Sequence, residues 1–261
     1  MRDYRGVATE CFGHGISTSL KHVSAKHYAQ RGAMSRISDV VQCEGVFRMH
    51  VNNELAFVLT CSDDHLPELA VGHLLTEGVI GSFKDVLAEC YDTEALEARM
   101  AIALKSRERR SDSGAGLRSD FVWRESWIYD IAREFAKDKT AHARTRGCHS
   151  AYLMNGEHML CMREDIGRHN AVDKVVGWAV RSGIDLSSCW MYLSGRVPAD
   201  MVLKAIRAQI PLVASKSVTT DKAIEMACAA GLVLLCEALP DSFEQLSGKA
   251  PLPARRIARA V

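Results

Sequence analysis

Short apolar runs alternate with stretches of helical periodicity through the second half of the chain. Runs at 151–154, 159–162, 189–193, 211–214 and 232–236 have the length of strands. Apolar residues at helical spacing predict helices over 169–181, 199–208 and 220–229. This alternation predicts an α/β layer with a largely parallel or mixed sheet, in which ligands gather at the carboxyl ends of the strands. A helical pattern through Trp127, Ile128, Ile131 and Phe135 opens this half. Upstream, Val46, Phe47 and Met49 lead to Asn52-Asn53 and then to an apolar run at 55–59, the pattern of a strand pair around a tight turn. A helix over 65–77 follows, with Asp63 or Asp64 as its cap, Pro67 and Glu68 in its first turn and Gly78 as its stop. His73 on that helix reads as a packing residue. Segment 85–104 reads as strand and connection, and the charged run 105–120 as a mobile loop. Residues 1–40 are polar and weakly periodic, an arm that orders only against another part of the protein. The expected division is an arm at 1–40, a smaller α+β domain at 41–122 and an α/β binding domain at 123–261.

Three strand-to-helix turns in the second half share one chemistry. The first lies within the stretch 163–174 and holds Asp165, Gly167, Arg168, His169 and Asn170, with Asp173 and Lys174 just behind. The second holds Ser194, Gly195 and Arg196, followed by Pro198 and Asp200, and the third Ser215, Lys216 and Ser217. A glycine turn that opens a helix offers backbone N–H groups and a positive dipole end to an anion. One such turn alone is a well-capped helix start on a solvated edge. Three of them, if their strands lie in one sheet, bring Arg168, Arg196 and Lys216 together on a phosphate- or nucleotide-bearing ligand. None is a P-loop or a G-x-G-x-x-G, so pattern alone does not specify the ligand.

Composition narrows the classes. The 261 residues are 48% hydrophobic and 25% charged, as in ordinary globular proteins, and the net charge of +1 excludes a broad attraction to nucleic acid or an anionic membrane. The first 25 residues lack an apolar signal region, and no apolar run reaches membrane-spanning length, so a cytoplasmic protein is expected. The nine cysteines include no C-x-x-C, which leaves no zinc knuckle or thioredoxin-type pair. Cys148, beside His149 and after Arg144 and Arg146, has neighbours that lower a thiol pKa, and is either a nucleophile or a small residue filling a turn. No permanently bound metal is expected.

Several motifs together resemble the FdhD family of formate dehydrogenase accessory proteins. They are Gly-Cys-His-Ser-Ala (147–151), Arg-Glu-Asp-Ile-Gly-Arg-His-Asn-Ala-Val-Asp-Lys (163–174), Leu-Ser-Gly-Arg-Val (193–197), Ile-Pro-Leu-Val-Ala-Ser (210–215) and Glu-Leu-Ala-Val-Gly-His-Leu-Leu-Thr-Glu-Gly-Val (68–79). The resemblance implies an α/β fold, a mixed sheet with flanking helices in a cytidine deaminase-like larger domain, plus a smaller α+β N-terminal domain. It implies a homodimeric sulfurtransferase that takes sulfur from a cysteine desulfurase. The sulfur passes to the molybdenum bis(molybdopterin guanine dinucleotide) cofactor, a bound client, destined for formate dehydrogenase. The thirteen binding residues named above, Asp165 through Ser217, would hold that cofactor and its guanine nucleotide, and Cys148 with His149 would carry the sulfur chemistry. The alternative is a cofactor-binding chaperone or insertion factor without covalent chemistry. Two departures bear on this choice. Many family members carry a C-x-x-C in the loop corresponding to 105–120, which here has no cysteine, and a late Gly-Phe-x-Arg-like segment reads Leu-Cys-Glu-Ala-Leu-Pro-Asp at 235–241. The His-x-Glu and Pro-Cys-x-x-C pattern of zinc deaminases is absent from the sequence.

Overall fold

The structure, a computed structural model, describes residues 20–29, 32, 34–103, 117, 120–137 and 145–253. Apart from Leu117 and Asp120, the expected loop 105–120 lies outside the described residues, as do Arg144 and most of the arm. Within the stretch expected to be an arm, β1 (Leu20–His27) pairs antiparallel with β2 (Ser35–Gln42). Both strands are largely exposed, so no alternation of apolar and polar residues announced them.

β3 (Gly45–Val51) and β4 (Glu54–Cys61) form the expected hairpin, with Asn52 and Asn53 at φ 51° and 69°, the left-handed pair that a two-residue turn requires. Helix α1 (Leu66–Thr76) follows. Its N-cap is His65, without a side-chain cap, so the expectation of an Asp63 or Asp64 cap is corrected: Asp64 turns instead to Lys174. Gly78, at φ 74°, stands just past the C-cap Glu77 as expected. β5 (Val86–Asp92) and β6 (Glu97–Ile102) complete a four-stranded sheet ordered β4-β3-β6-β5, in which β3 and β6 are parallel.

Helix α2 (Glu125–Ala136) precedes the hairpin β7 (His149–Asn155) and β8 (His158–Asp165). Then come α3 (Arg168–Arg181), β9 (Trp190–Leu193), α4 (Ala199–Arg207), β10 (Leu212–Ser215), α5 (Asp221–Ala230), β11 (Val233–Cys236) and β12 (Glu244–Ser247). Among the described residues these strands form one mixed sheet ordered β12-β11-β10-β9-β7-β8, with β9, β10 and β11 parallel. The central strands are buried on both faces, and their alternate residues serve two cores. Trp190, Tyr192, Leu212, Ala214, Val233 and Leu235 pack with Ile128, Ile131 and Phe135 of α2. Met191, Leu193, Val213 and Leu234 face the opposite way, into a cluster that takes in α1, α3, α4 and the inner side of the four-stranded sheet.

Helix α1 is apolar nearly all round because it is enclosed between that smaller sheet and α3. Glycines set how closely the two helices meet. A Cβ built on Gly72 would lie 1.7 Å from the Asp173 carbonyl oxygen, and one on Gly177 1.8 Å from that of Glu68. Beside this crossing Asp173 is fully buried and bridges three helices. Its carboxylate meets His73 Nδ1 at 2.8 Å, accepts from Thr76 Oγ1 at 2.7 Å and holds Lys204 Nζ at 3.0 Å. Lys204 also reaches Thr76 and Glu77, so the last turn of α4 binds the last turn of α1. Burial pushes the Asp173 carboxyl up, but the His73 hydrogen bond and the Lys204 charge more than offset it and hold it below the usual carboxylate range.

Gly72→Ala is expected to cost about 3 kcal/mol or more, since backbone cannot yield as a side chain does. Gly183→Ala, which meets no atom within 4 Å but sits at φ 69°, should cost only about 1–2 kcal/mol. Chemical denaturation of both variants checks the contrast. Asp173→Asn should cost about 3–5 kcal/mol at neutral pH by leaving Lys204 without its main partner. Because the folded pKa of Asp173 is depressed, its stabilisation is complete above about pH 4 and is lost as pH falls through the folded value. Melting curves of Asp173→Asn should therefore fall less steeply on the acid side than those of the native chain.

Candidate functional site

The register of the six-stranded sheet brings the polar turns to one edge. Leu193 lies opposite Ala151 on one side and Ser215 on the other, and His149 lies opposite Asp165. The start of β7 and the ends of β8, β9, β10 and β11 therefore stand side by side, and hydrogen bonds of backbone and serine hydroxyls join the turns that leave them. Ser150 N donates to Ser194 Oγ at 2.9 Å, and Lys216 N to the Leu193 carbonyl at 3.0 Å. Ser215 Oγ donates to the Gly195 carbonyl at 2.7 Å and accepts from Ser217 N at 3.0 Å. Glu237 N donates to the Ser217 carbonyl at 3.1 Å, which adds the turn after β11. Gly195 is the point of closest approach: a Cβ there would lie 3.0 Å from His149 Nδ1 and 3.2 Å from Arg168 Cβ.

The edge suits an anion. The first amides of α3, from Arg168 onward, have no helical carbonyl to bond. Arg168 is half-buried, and its Nε has no hydrogen-bond partner among the described residues. Arg196 and Lys216 are exposed, with the Lys216 ammonium 5.2 Å over the Phe135 ring. His169 Nε2 lies 3.0 Å from Asp200 Oδ2 but out of line for a hydrogen bond. Against the first turn a cleft of about 530 Å³ opens between Gln42, Glu44, Thr60, Gly147, Ile166 and Gly167.

Five of the other predicted residues are enclosed, while His149, Gly167, Ser194 and Ser217 are half-buried. Asp165, Asp173, Lys174 and Ser215 are fully buried and Asn170 is 8% exposed, and their side chains bond to protein groups. Burial pushes the Asp165 carboxyl above the usual range against the pull of Lys174, Gly167 and Asn170. Burial lowers the Lys174 ammonium, but Asp165 and Asp64 more than reverse this and leave it raised. Cys148 is also enclosed, 2% exposed, with Sγ 3.7 Å from Glu164 Oε1. Burial first and the Glu164 carboxylate second push its thiol well up. The lowered thiol expected from the basic neighbours is thus corrected, since burial and the Glu164 carboxylate outweigh the opposing Thr145 hydrogen bond and Arg146 is exposed.

Sequence reasoning missed Ser62, Asp64, Glu164 and the Glu237 turn. Asp63-Asp64 was visible as a pair of acids, but pairing with a lysine 110 residues away left no local signal. Glu164 was identifiable only once β7 and β8 were known to pair Ser150 with it.

These features define an α/β protein with a polar, interlocked edge at its strand ends. Residues 42–252 match the model of the FdhD/NarQ family, and the chain belongs to that family. Curated relatives include the sulfur carrier protein FdhD of Shouchella clausii, 28% identical over 224 residues that cover 76% of this chain and 84% of that one. The sulfur carrier protein FdhD of Saccharolobus solfataricus is 33% identical over 185 residues, 64% of this chain and 72% of the relative. A crystal structure from Desulfotalea psychrophila, described as a formate dehydrogenase accessory protein, matches with a TM-score of 0.75 at 21% identity. The match covers 88% of this chain and 96% of that one, and it shows the shared fold.

A thiol kept protonated and enclosed reacts slowly with alkylating agents. In the native protein at pH 8, iodoacetamide should label Cys90 and Cys228, both exposed, well before Cys148. Glu164→Gln removes one of the two main causes of the raised pKa and should speed labelling of Cys148, as read by peptide mass spectrometry.

Proposed function

We propose that the protein is a sulfur carrier serving formate dehydrogenase, which holds the molybdenum bis(molybdopterin guanine dinucleotide) cofactor as its client along the strand-end edge. The observation that carries this reading is the convergence of the three polar turns on one sheet edge in a chain of the FdhD/NarQ family. A guanine dinucleotide brings phosphates, and Arg168, Arg196, Lys216 and the first amides of α3 are donors suited to them. Gly195 lets the second turn lie against His149 and Arg168, where a Cβ would be crowded at 3.0 and 3.2 Å, and so brings the first two turns together. The cytoplasm, a homodimeric state and a cysteine desulfurase as sulfur donor belong to the same reading. In it the Cys148 sulfur attacks the outer sulfur of the desulfurase persulfide, the S–S bond breaks, and the Cys148 proton goes to the departing desulfurase thiolate.

Two observations favour a second reading, a cofactor-holding insertion factor with no covalent step. The thiol at the edge is enclosed and raised in pKa, and residues 105–120 contain no cysteine.

Incubation with a cysteine desulfurase and cysteine, followed by mass spectrometry, separates the two. A gain of one sulfur atom that disappears in Cys148→Ala supports the first reading with its assigned residue. A gain retained in that variant moves the sulfur to another cysteine. Guanosine diphosphate binding without any gain supports the insertion factor. In either reading Arg168→Gln combined with Arg196→Gln should weaken guanosine diphosphate binding about a hundredfold or more, because each charge-assisted contact contributes about 1.5–3 kcal/mol. Unchanged calorimetric affinity would remove the edge as the binding site.

A further inference from the structure

The first turn of the edge hangs on a bridge whose centre, Lys174 and Asp165, is closed to any ligand. Lys174 is fully buried. Its ammonium lies 2.7 Å from Asp165 Oδ2 and 2.6 Å from Asp64 Oδ1, and it donates to the carbonyls of Ser62 and Glu164 at 3.4 and 3.3 Å. Asp165 passes this anchorage to the turn. Its Oδ1 accepts from Gly167 N at 2.8 Å and from Asn170 Nδ2 at 2.9 Å, and its Oδ2 accepts from Ser62 N at 3.1 Å. Ser62 Oγ in turn accepts from Ile166 N at 3.3 Å, and Asn170 Nδ2 donates to the Thr60 carbonyl at 2.8 Å. The amide of Ile166 is therefore spent on Ser62, just past the end of β4, and that of Gly167 on Asp165 at the end of β8. The amides of Arg168 and His169 come next, at the start of α3.

A buried ammonium between two carboxylates is a poor source of net stability, since apolar residues of similar volume often do as well or better. Its directed bonds, however, fix orientation. We propose that Lys174 and Asp64 are positioning residues, whose bridge to Asp165 sets the direction in which the α3 amides and Arg168 meet an anionic ligand. They act through Asp165 and Gly167 and do not touch the ligand. The inference rests on the edge being the binding site for the phosphates of a guanine nucleotide, and it adds the strand end Thr60–Ser62 and Asp64 to the machinery of that site.

The test uses the full chain with guanosine diphosphate as the probe. Asp64→Asn removes one charge from the partly exposed end of the bridge, where the side chain is 19% exposed, and Lys174→Met removes the ammonium. Asp64→Asn is expected to weaken calorimetric affinity about tenfold, as loss of groups that orient a ligand-binding residue commonly does, while the melting temperature changes little. Lys174→Met should weaken affinity at least as much, and if it fails to fold, Asp64→Asn carries the test alone. A lowered melting temperature with unchanged affinity would overturn the inference, because the bridge would then only stabilise the fold. If the native chain itself does not bind guanosine diphosphate, the binding reading fails, and hydrogen exchange at the Gly167 amide still decides the positioning role. Faster exchange in Asp64→Asn upholds the bridge as the holder of the turn, and unchanged exchange overturns it.

Discussion

Everything at the strand-end edge depends on where helix α3 lies, and the contact between Gly72 and Gly177 decides that. Two helices whose backbones touch leave no room for adjustment by side-chain rotation, so α3 is held in translation by α1. Consecutive residues then fix its rotation. Asp173 binds His73, Thr76 and Lys204 on one side, and Lys174 binds Asp64 and Asp165 on another. Both are closed off from solvent, so neither serves a ligand directly. The N-terminus of α3, with Arg168 and His169, is the open end of a helix locked at its middle.

The edge itself is assembled from segments that need one another. Ser215 holds the Gly195 carbonyl, Ser194 accepts from the amide of Ser150, and the Glu237 amide closes on Ser217. Such cross-bonding satisfies backbone groups that strand ends would otherwise leave unpaired, and it makes the turns one rigid rim. Turns tied to one another in this way have less ordering left to lose if a ligand binds there. The enclosure of Cys148 beside Glu164 is of a different character. It shields the sulfur from solvent and disfavours the thiolate, which suits protection of a thiol better than rapid exchange with solvent.

Much of this was legible because periodicity reports local burial. The central strands were found from apolar runs that reflect burial on both faces, and the Asn52-Asn53 turn from its backbone demands. The hairpin of β1 and β2 was not, since exposed strands carry no alternation. The polar turns were visible as composition, and their residues divided only in three dimensions into those that face outward, such as Arg196 and Lys216, and those that are spent inside, such as Asp165 and Ser215. Basic neighbours in sequence suggested an activated thiol at Cys148, whereas strand pairing placed a carboxylate next to it.

By itself the sequence determined the α/β alternation, the three glycine- and serine-bearing turns and the motifs that mark the FdhD/NarQ family, because each is written in residues close together along the chain. Only the tertiary structure decided what the stretch 163–174 does. Its Asp165, Asp173 and Lys174 acquire their roles from Asp64, His73 and Lys204, which lie some 30 to 110 residues away. Charges buried at that sequence separation leave no local pattern, and their pairing is set by how closely two glycines allow two helices to pack.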